Sequence, residues 1–159
     1  MNESVKRDHG RPSRVGFALS QLGSFSASLF AERLAPLGLT PAAAGVLRTI
    51  ARRPGLSQRA LAAEIGTVPS RVVVLVDGLE AAGLVRRERS TEDRRTQLLR
   101  LTDAGTAAMA EIRLAAEGQS AALLGPLEPA DRAELTRLLD ALLAAHGLSR
   151  ESHRGYREG

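Results

Sequence analysis

Cysteine is absent from the 159 residues, which excludes a disulfide framework, a thiolate zinc site and a thiol redox sensor. Histidine is scarce, and His9, His146 and His153 all lie near the ends of the chain. A compact imidazole-based catalytic or metal constellation is therefore not expected. No apolar run approaches the roughly 20 residues that cross a bilayer. The polar start, Met1 to Arg14, lacks the apolar stretch of a secretory signal. These absences point to a soluble, cytoplasmic chain with no membrane partner and no cofactor. Lysine is nearly missing as well, since 21 of the 22 basic residues are Arg and the other is Lys6. A GC-rich coding sequence accounts for abundant Arg and Ala, so the placement of the arginines carries more information than their number.

That placement is uneven. Residues 48 to 100 hold 11 Arg against 6 acids, whereas residues 103 to 147 hold 3 Arg against 7 acids, within a net charge of +4. A basic middle beside an acidic C-terminal part points one face of the protein towards a polyanion. The length fits a single domain with a modest core, and 43% apolar with 25% charged residues is ordinary for a globular chain.

Residues 1–14 read as a disordered basic tail and 147–159 as a polar tail, leaving one domain over 15–146. Leu19, Leu22, Phe25, Leu29 and Phe30 give a first helix from Val15 to Ala35. Thr40-Pro41 caps and opens a second, Pro41 to about Arg52. After Pro54-Gly55 and a short Leu56-Ser57 strand, Ser57 caps a third helix that stops at Gly66. Pro69 opens a fourth, running to Ala82 and closed by Gly83. Two short helices joined by so short a turn form a helix-turn-helix. Leu84 to Arg89 and Thr96 to Leu101 then read as a hairpin around a charged turn, with Leu99 and Leu101 facing inward. Helix, helix and hairpin in this order make a winged helix, at about 40–102.

Thr102 caps a long helix from Asp103 to about Leu124, roughly 33 Å at 1.5 Å per residue. A last helix follows from Pro129 to about His146, with Leu135, Leu138, Leu139, Leu142 and Leu143 as its stripe. The fold expected is mainly α with a small β-hairpin wing. Together with the first helix, the segments over 103–146 carry more apolar surface than a small winged helix can cover. They imply a helical dimerisation layer, the alternative being a self-contained monomeric bundle.

On a wheel of the fourth helix Val72, Leu75, Val76 and Leu79 form the core face, and Ser70, Val74 and Asp77 the opposite one. In a helix-turn-helix that outer face enters the major groove. Ser70 can bond to a base or a phosphate, and Arg71 can offer a bidentate fork to guanine. An outward Val74 either meets a thymine methyl or is a tolerated exposed valine. The hairpin tip, RRERSTEDRR, holds five Arg and three acids. Solvated charged turns are common, but beside a helix-turn-helix such a tip can straddle the backbone and put an arginine in the minor groove. An acid two residues before Arg95 can hold its guanidinium in fixed geometry. The expectation is that Asp93 and Asp77 orient Arg95, which contacts DNA together with Arg94.

The stretches LGLTPAAAGVLRTIARRPGLSQRALAAEIG, PSRVVVLVDGLEAAGLVRR and STEDRRTQLLRLTDAG, with a D-x-R wing pattern at Asp93 and Arg95, resemble the MarR family of bacterial transcriptional regulators over about residues 15–146. The resemblance implies a homodimer holding two winged helices over successive major grooves of double-stranded DNA, with wings in the flanking minor grooves. It also implies a small lipophilic or phenolic effector that weakens DNA binding. Ser70 and Arg71 match recognition-helix positions, and Asp77 matches the acid of the family's L/V-D-x-L segment. Val73 and Val74 depart from the family, standing where many members carry Thr and a polar or basic residue. Without cysteine the chain does not resemble the peroxide-sensing branch.

The residues expected at DNA are Ser57, Gln58, Arg59, Thr67, Pro69, Ser70, Arg71, Val74, Arg94 and Arg95. An effector cleft is placed where Phe17, Phe25, Leu29, Leu47 and Met109 can meet, although apolar residues at helical spacing are more often simply core. The leading function is a sequence-specific regulator, in the family's commoner role a repressor of a pseudopalindromic operator. The alternative is a winged-helix protein-interaction module without specific DNA binding, which the two valines favour and the Arg-rich wing opposes. An enzyme is not expected, because no acid, base and nucleophile converge.

Overall fold

The structure is a computed structural model that describes residues 14–91 and 95–148. The expected tails lie outside this range except for Arg14, Gly147 and Leu148. Six helices and three short strands follow the chain as α1 (Arg14–Leu34), α2 (Pro41–Arg52), β1 (Leu56–Ser57), α3 (Gln58–Ile65), α4 (Pro69–Ala81), β2 (Val85–Arg89), β3 (Gln97–Leu101), α5 (Asp103–Leu124) and α6 (Pro129–Ala145). A 3₁₀ turn, Ala35–Leu37, separates α1 from α2.

The starts of α2, α3 and α5 are set by side-chain caps. Thr40 accepts from the Ala43 N–H at 3.2 Å, Ser57 from Ala60 at 3.2 Å and Thr102 from Gly105 at 3.0 Å, each satisfying a donor that the first turn leaves without an intrahelical partner. Stops fall on glycine where a left-handed residue is needed, as at Gly66 (φ 69°) and Gly83 (φ 72°). The Gly83 stop explains why β2 starts at Val85: the Leu84 N–H is still bonded to the Leu79 carbonyl at 2.9 Å. Likewise β3 starts at Gln97, because the Thr96 carbonyl closes the wing turn with the Ser90 N–H at 2.9 Å.

The sheet runs β1-β3-β2, antiparallel throughout, with Leu56 opposite Leu99 and Val85 opposite Leu101. The short strand before α3 thus belongs to the wing sheet and ties the helix-turn-helix to the hairpin. One core collects Leu34 from α1, Val46, Leu47 and Ile50 from α2, and Leu61 from α3. Val72, Val76 and Leu79 of α4, Val85, Leu99 and Ile112 complete it. Each fully buried aliphatic side chain of this kind contributes about 1.5–3 kcal/mol.

α5 is fastened to both ends of the molecule. Its start is held by Thr102, whose Oγ1 donates to the Gly83 carbonyl at 2.6 Å and whose N–H donates to the Leu84 carbonyl at 3.1 Å. Further along, the Gln119 amide donates to Ser26 O and Oγ of α1 at 2.7 and 2.8 Å. The outer parts of the helical layer remain uncovered: Val15, Phe17, Leu19, Leu22 and Phe25 of α1 are exposed, as are Leu138, Leu139 and Leu142 of α6. α6 buries no residue at all. Among the described residues, no single helix is long and apolar enough to cross a membrane.

Candidate nucleic-acid interface

α4 has the two faces expected from its sequence. Val72, Val76 and Leu79 are buried, whereas Pro69, Ser70, Val73, Val74, Asp77 and Gly78 are exposed and Arg71 is half-buried. Val68 occupies its N-cap position without making a side-chain cap bond. Thr67, half-buried in the turn before it, uses its N–H to close α3 on the Ala62 carbonyl at 3.1 Å.

The start of α3 and the stem of the wing enclose an open polar cleft lined by Ser57, Gln58, Arg59, Arg89, Arg95, Thr96 and Gln97. Ser57, Gln58, Arg59 and Arg95 are expected at DNA from the sequence, and the fold brings these four together. It adds Arg89 and Gln97, a register pair at the mouth of the hairpin. None of the described lining residues is acidic and three are arginines, a lining whose charge suits an anion. Gln58 Nε2 is sealed from solvent with no hydrogen-bond partner among the described residues, an unmet donor on the cleft wall.

Asp77 is engaged differently from the expectation. It pairs with Arg87 of β2 rather than with Arg95, and Glu80, one turn along α4, pairs with the same guanidinium. The reason is strand alternation. Arg87 stands two residues after the buried Val85, on the side of the strand that faces the helices, so its charge must find partners on α4. Its side chain is only 15% exposed. Burial works against the Arg87 charge, but the hydrogen bond to Asp77 and the charges of Glu80 and Asp77 outweigh it, and the guanidinium pKa is raised. The arrangement is a clamp between the outer flank of α4 and the wing. Asp93 and Arg94 lie outside the described residues.

On the opposite side of the strand, Arg86 and Arg100 stand directly across from one another. Like charges in that position repel. Glu88 relieves this by accepting from Arg86 Nε and from Arg100 Nε, each at 2.7 Å. Desolvation pushes the Glu88 pKa up, but the bonds from Arg86 and Arg100 prevail and lower it.

A family model described as MarR family matches residues 37–96, the stretch that contains the helix-turn-helix, the clamp and most of the wing. CouR, solved as a transcriptional repressor bound to a 23-mer DNA duplex, is 32% identical, with 82% of this chain and 92% of that chain covered and a TM-score of 0.69. The chain belongs to the MarR family. CouR from Rhodococcus jostii RHA1 has also been solved bound to p-coumaroyl-CoA, at 28% identity, with 84% of this chain and 92% of that chain covered and a TM-score of 0.68. A putative transcriptional regulatory protein for the hcr operon of Thauera aromatica is 40% identical over 105 residues. That match takes in 66% of this chain and 63% of the relative, so it spans less than two thirds of the relative's length. The family and these relatives are transcriptional regulators, not enzymes.

For a MarR-family chain, the remaining expectation is an apolar effector cleft. The five residues named for it do not share one environment. Leu47 is in the core and Met109 packs against it, whereas Phe17 and Phe25 are 69% and 54% exposed and Leu29 is half-buried. Phe17 and Phe25 thus lie on α1 outside the buried core. A separate shallow cleft lies between the end of α1 and α5, lined by Glu32, Arg33, Pro36, Leu37, Glu111, Leu114 and Ala115, and includes none of the five. Among the described residues, no cluster of side chains suits a metal ion.

Proposed function

We propose that the protein is a cytoplasmic, dimeric, sequence-specific DNA-binding regulator that represses transcription from a pseudopalindromic operator. The observation that carries this reading is the clamp through Arg87. It fixes an arginine-bearing wing against the flank of a helix whose outer face is exposed. In this reading Ser70, Arg71 and Val74 address base edges, with Pro69 and Thr67 leading into the groove. Ser57, Gln58 and Arg59 take the backbone from α3 while Arg94 and Arg95 take it from the wing. Asp77 orients the wing through Arg87, and Asp93 orients Arg95.

The uncovered apolar faces of α1 and α6 support a second copy of the chain as their partner. A two-fold dimer then reads half-sites centred about 10–10.5 base pairs apart. CouR bound to p-coumaroyl-CoA supports a small-molecule effector for this protein too, of lipophilic or phenolic character. The domain doing this is 15–146, with the winged helix at about 40–102 between dimerisation helices at about 15–35 and 103–146.

The test is salt-dependent binding of the purified protein to its own upstream intergenic DNA and to a scrambled duplex, with the stoichiometry determined. Two chains per site, preference for the upstream duplex and a steep fall with salt are expected. Equal, weak binding to both duplexes, and to an array of other intergenic fragments, counts against sequence-specific regulation.

A further inference from the structure

The outer face of α4 holds a residue that charge and hydrogen bonding leave unexplained. Val74 is 71% exposed and lies one turn after Ser70, opposite the buried Val72, Val76 and Leu79. A β-branched apolar residue at an exposed helix position lowers helix propensity and gains nothing from burial. Val73, 40% exposed, sits one turn before Asp77, on the flank that Arg87 draws towards the wing. Val74 therefore projects from the middle of the face that the clamp leaves open.

The surroundings identify the chemistry of what meets it. Arg59, Arg89 and Arg95 line the cleft between the start of α3 and the wing, and their charge complements a phosphate backbone rather than an apolar protein surface. In the major groove of B-form DNA the apolar feature presented by a base edge is the C5-methyl of thymine. We infer that Val74 is a specificity-determining residue that reads one thymine methyl in each half-site. This inference rests on the DNA-binding function proposed above and adds to it a defined atom on the partner.

The experiment begins with selection of preferred duplexes from a random library by the purified full-length protein. Each thymine of the enriched site is then replaced by deoxyuridine, which lacks only the methyl, symmetrically in both half-sites. One position is expected to lose affinity by about fourfold per half-site, or roughly fifteenfold over both, the effect of one methyl-sized burial. Val74→Ala should bind the thymine and uridine duplexes equally at that position. Because Val74 is exposed, the variant stays folded, with a thermal unfolding midpoint unchanged or slightly raised by alanine's better helix propensity. Equal binding of thymine and uridine duplexes at every position by the unaltered protein overturns the inference, as does methyl sensitivity that persists in Val74→Ala. If selection enriches no sequence, the DNA-reading function itself fails and the inference falls with it. The exposed valines would then belong to a protein-interaction surface.

Discussion

Gly105 and Leu84 meet where no side chain fits: a Cβ on Gly105 would stand 2.0 Å from the Leu84 carbonyl oxygen. The obstacle is backbone, and that carbonyl is already engaged by the Thr102 N–H, so it cannot move aside without breaking the bond that ties Thr102 to the turn after α4. Gly105→Ala should destabilise the protein by about 1–3 kcal/mol despite alanine's better helix propensity. A lower denaturation midpoint at unchanged slope would establish it.

Gly118 offers the contrast within the same helix. A Cβ there would lie 2.7 Å from Arg33 Nη1, the far end of a side chain that can swing away. Gly118→Ala is expected to range from neutral to about 1 kcal/mol stabilising, and a loss comparable to that of Gly105→Ala would contradict this.

The Arg87 clamp should matter more for binding than for folding. Asp77 and Glu80 are largely solvated, with side chains 58% and 40% exposed, and pairs of this kind contribute about 0–1 kcal/mol to stability. Arg87→Met, however, leaves two carboxylates uncompensated beside a polyanion. Operator affinity should fall about tenfold, or about 1.4 kcal/mol. Adding Asp77→Asn and Glu80→Gln should recover part of it if repulsion is the cause. An unfolding midpoint that collapses in Arg87→Met would instead make the clamp chiefly structural.

Glu88 sets a pH dependence. Arg86 and Arg100 hold its carboxyl below the ordinary value of 4.5, so the unfolded chain binds the proton more readily than the folded one. The stability it supplies is present above about 4.5 and is lost as pH falls through the lower folded value. Thermal unfolding should show the unaltered protein more stable than Glu88→Gln at pH 6, with the two converging as pH falls through the lowered folded value. Parallel curves across that range would show that the carboxylate does not hold the wing strands together.

The wing arginines can be counted through salt. If Arg94 and Arg95 each neutralise a phosphate, replacing either with Ala makes the slope of log affinity against log salt shallower by about 1.8, about 0.9 for each of the dimer's two wings. Affinity and slope unchanged in both variants would remove the wing from the interface.

The order of elements is legible in the sequence because its signals are local. Thr40, Ser57 and Thr102 announce helix starts within four residues, and the period of Val72, Val76 and Leu79 separates the two faces of α4. Partners distant in sequence are not legible in the same way. Asp77 and Arg87 are ten residues apart across a helix end, a glycine and a strand start, and proximity along the chain favours Asp93 and Arg95 instead. One signal does point to the clamp: alternation from Val85 puts Arg87 on the inner side of β2, where an arginine needs a carboxylate. Arg89 and Gln97 become neighbours only through the hairpin register, which neither residue announces by itself. Periodicity marks Phe17 and Phe25 as apolar but does not encode that both stand exposed outside the core.

Thr102 joins two parts of the molecule at one point. Its backbone and hydroxyl bind the turn after α4 while its side chain also starts α5, so the wing stem and the long helix share one rigid joint. An arm about 33 Å long attached to such a joint converts a tilt of about 5° into about 3 Å of travel at its far end. A small rotation at this joint is therefore multiplied along the whole length of α5.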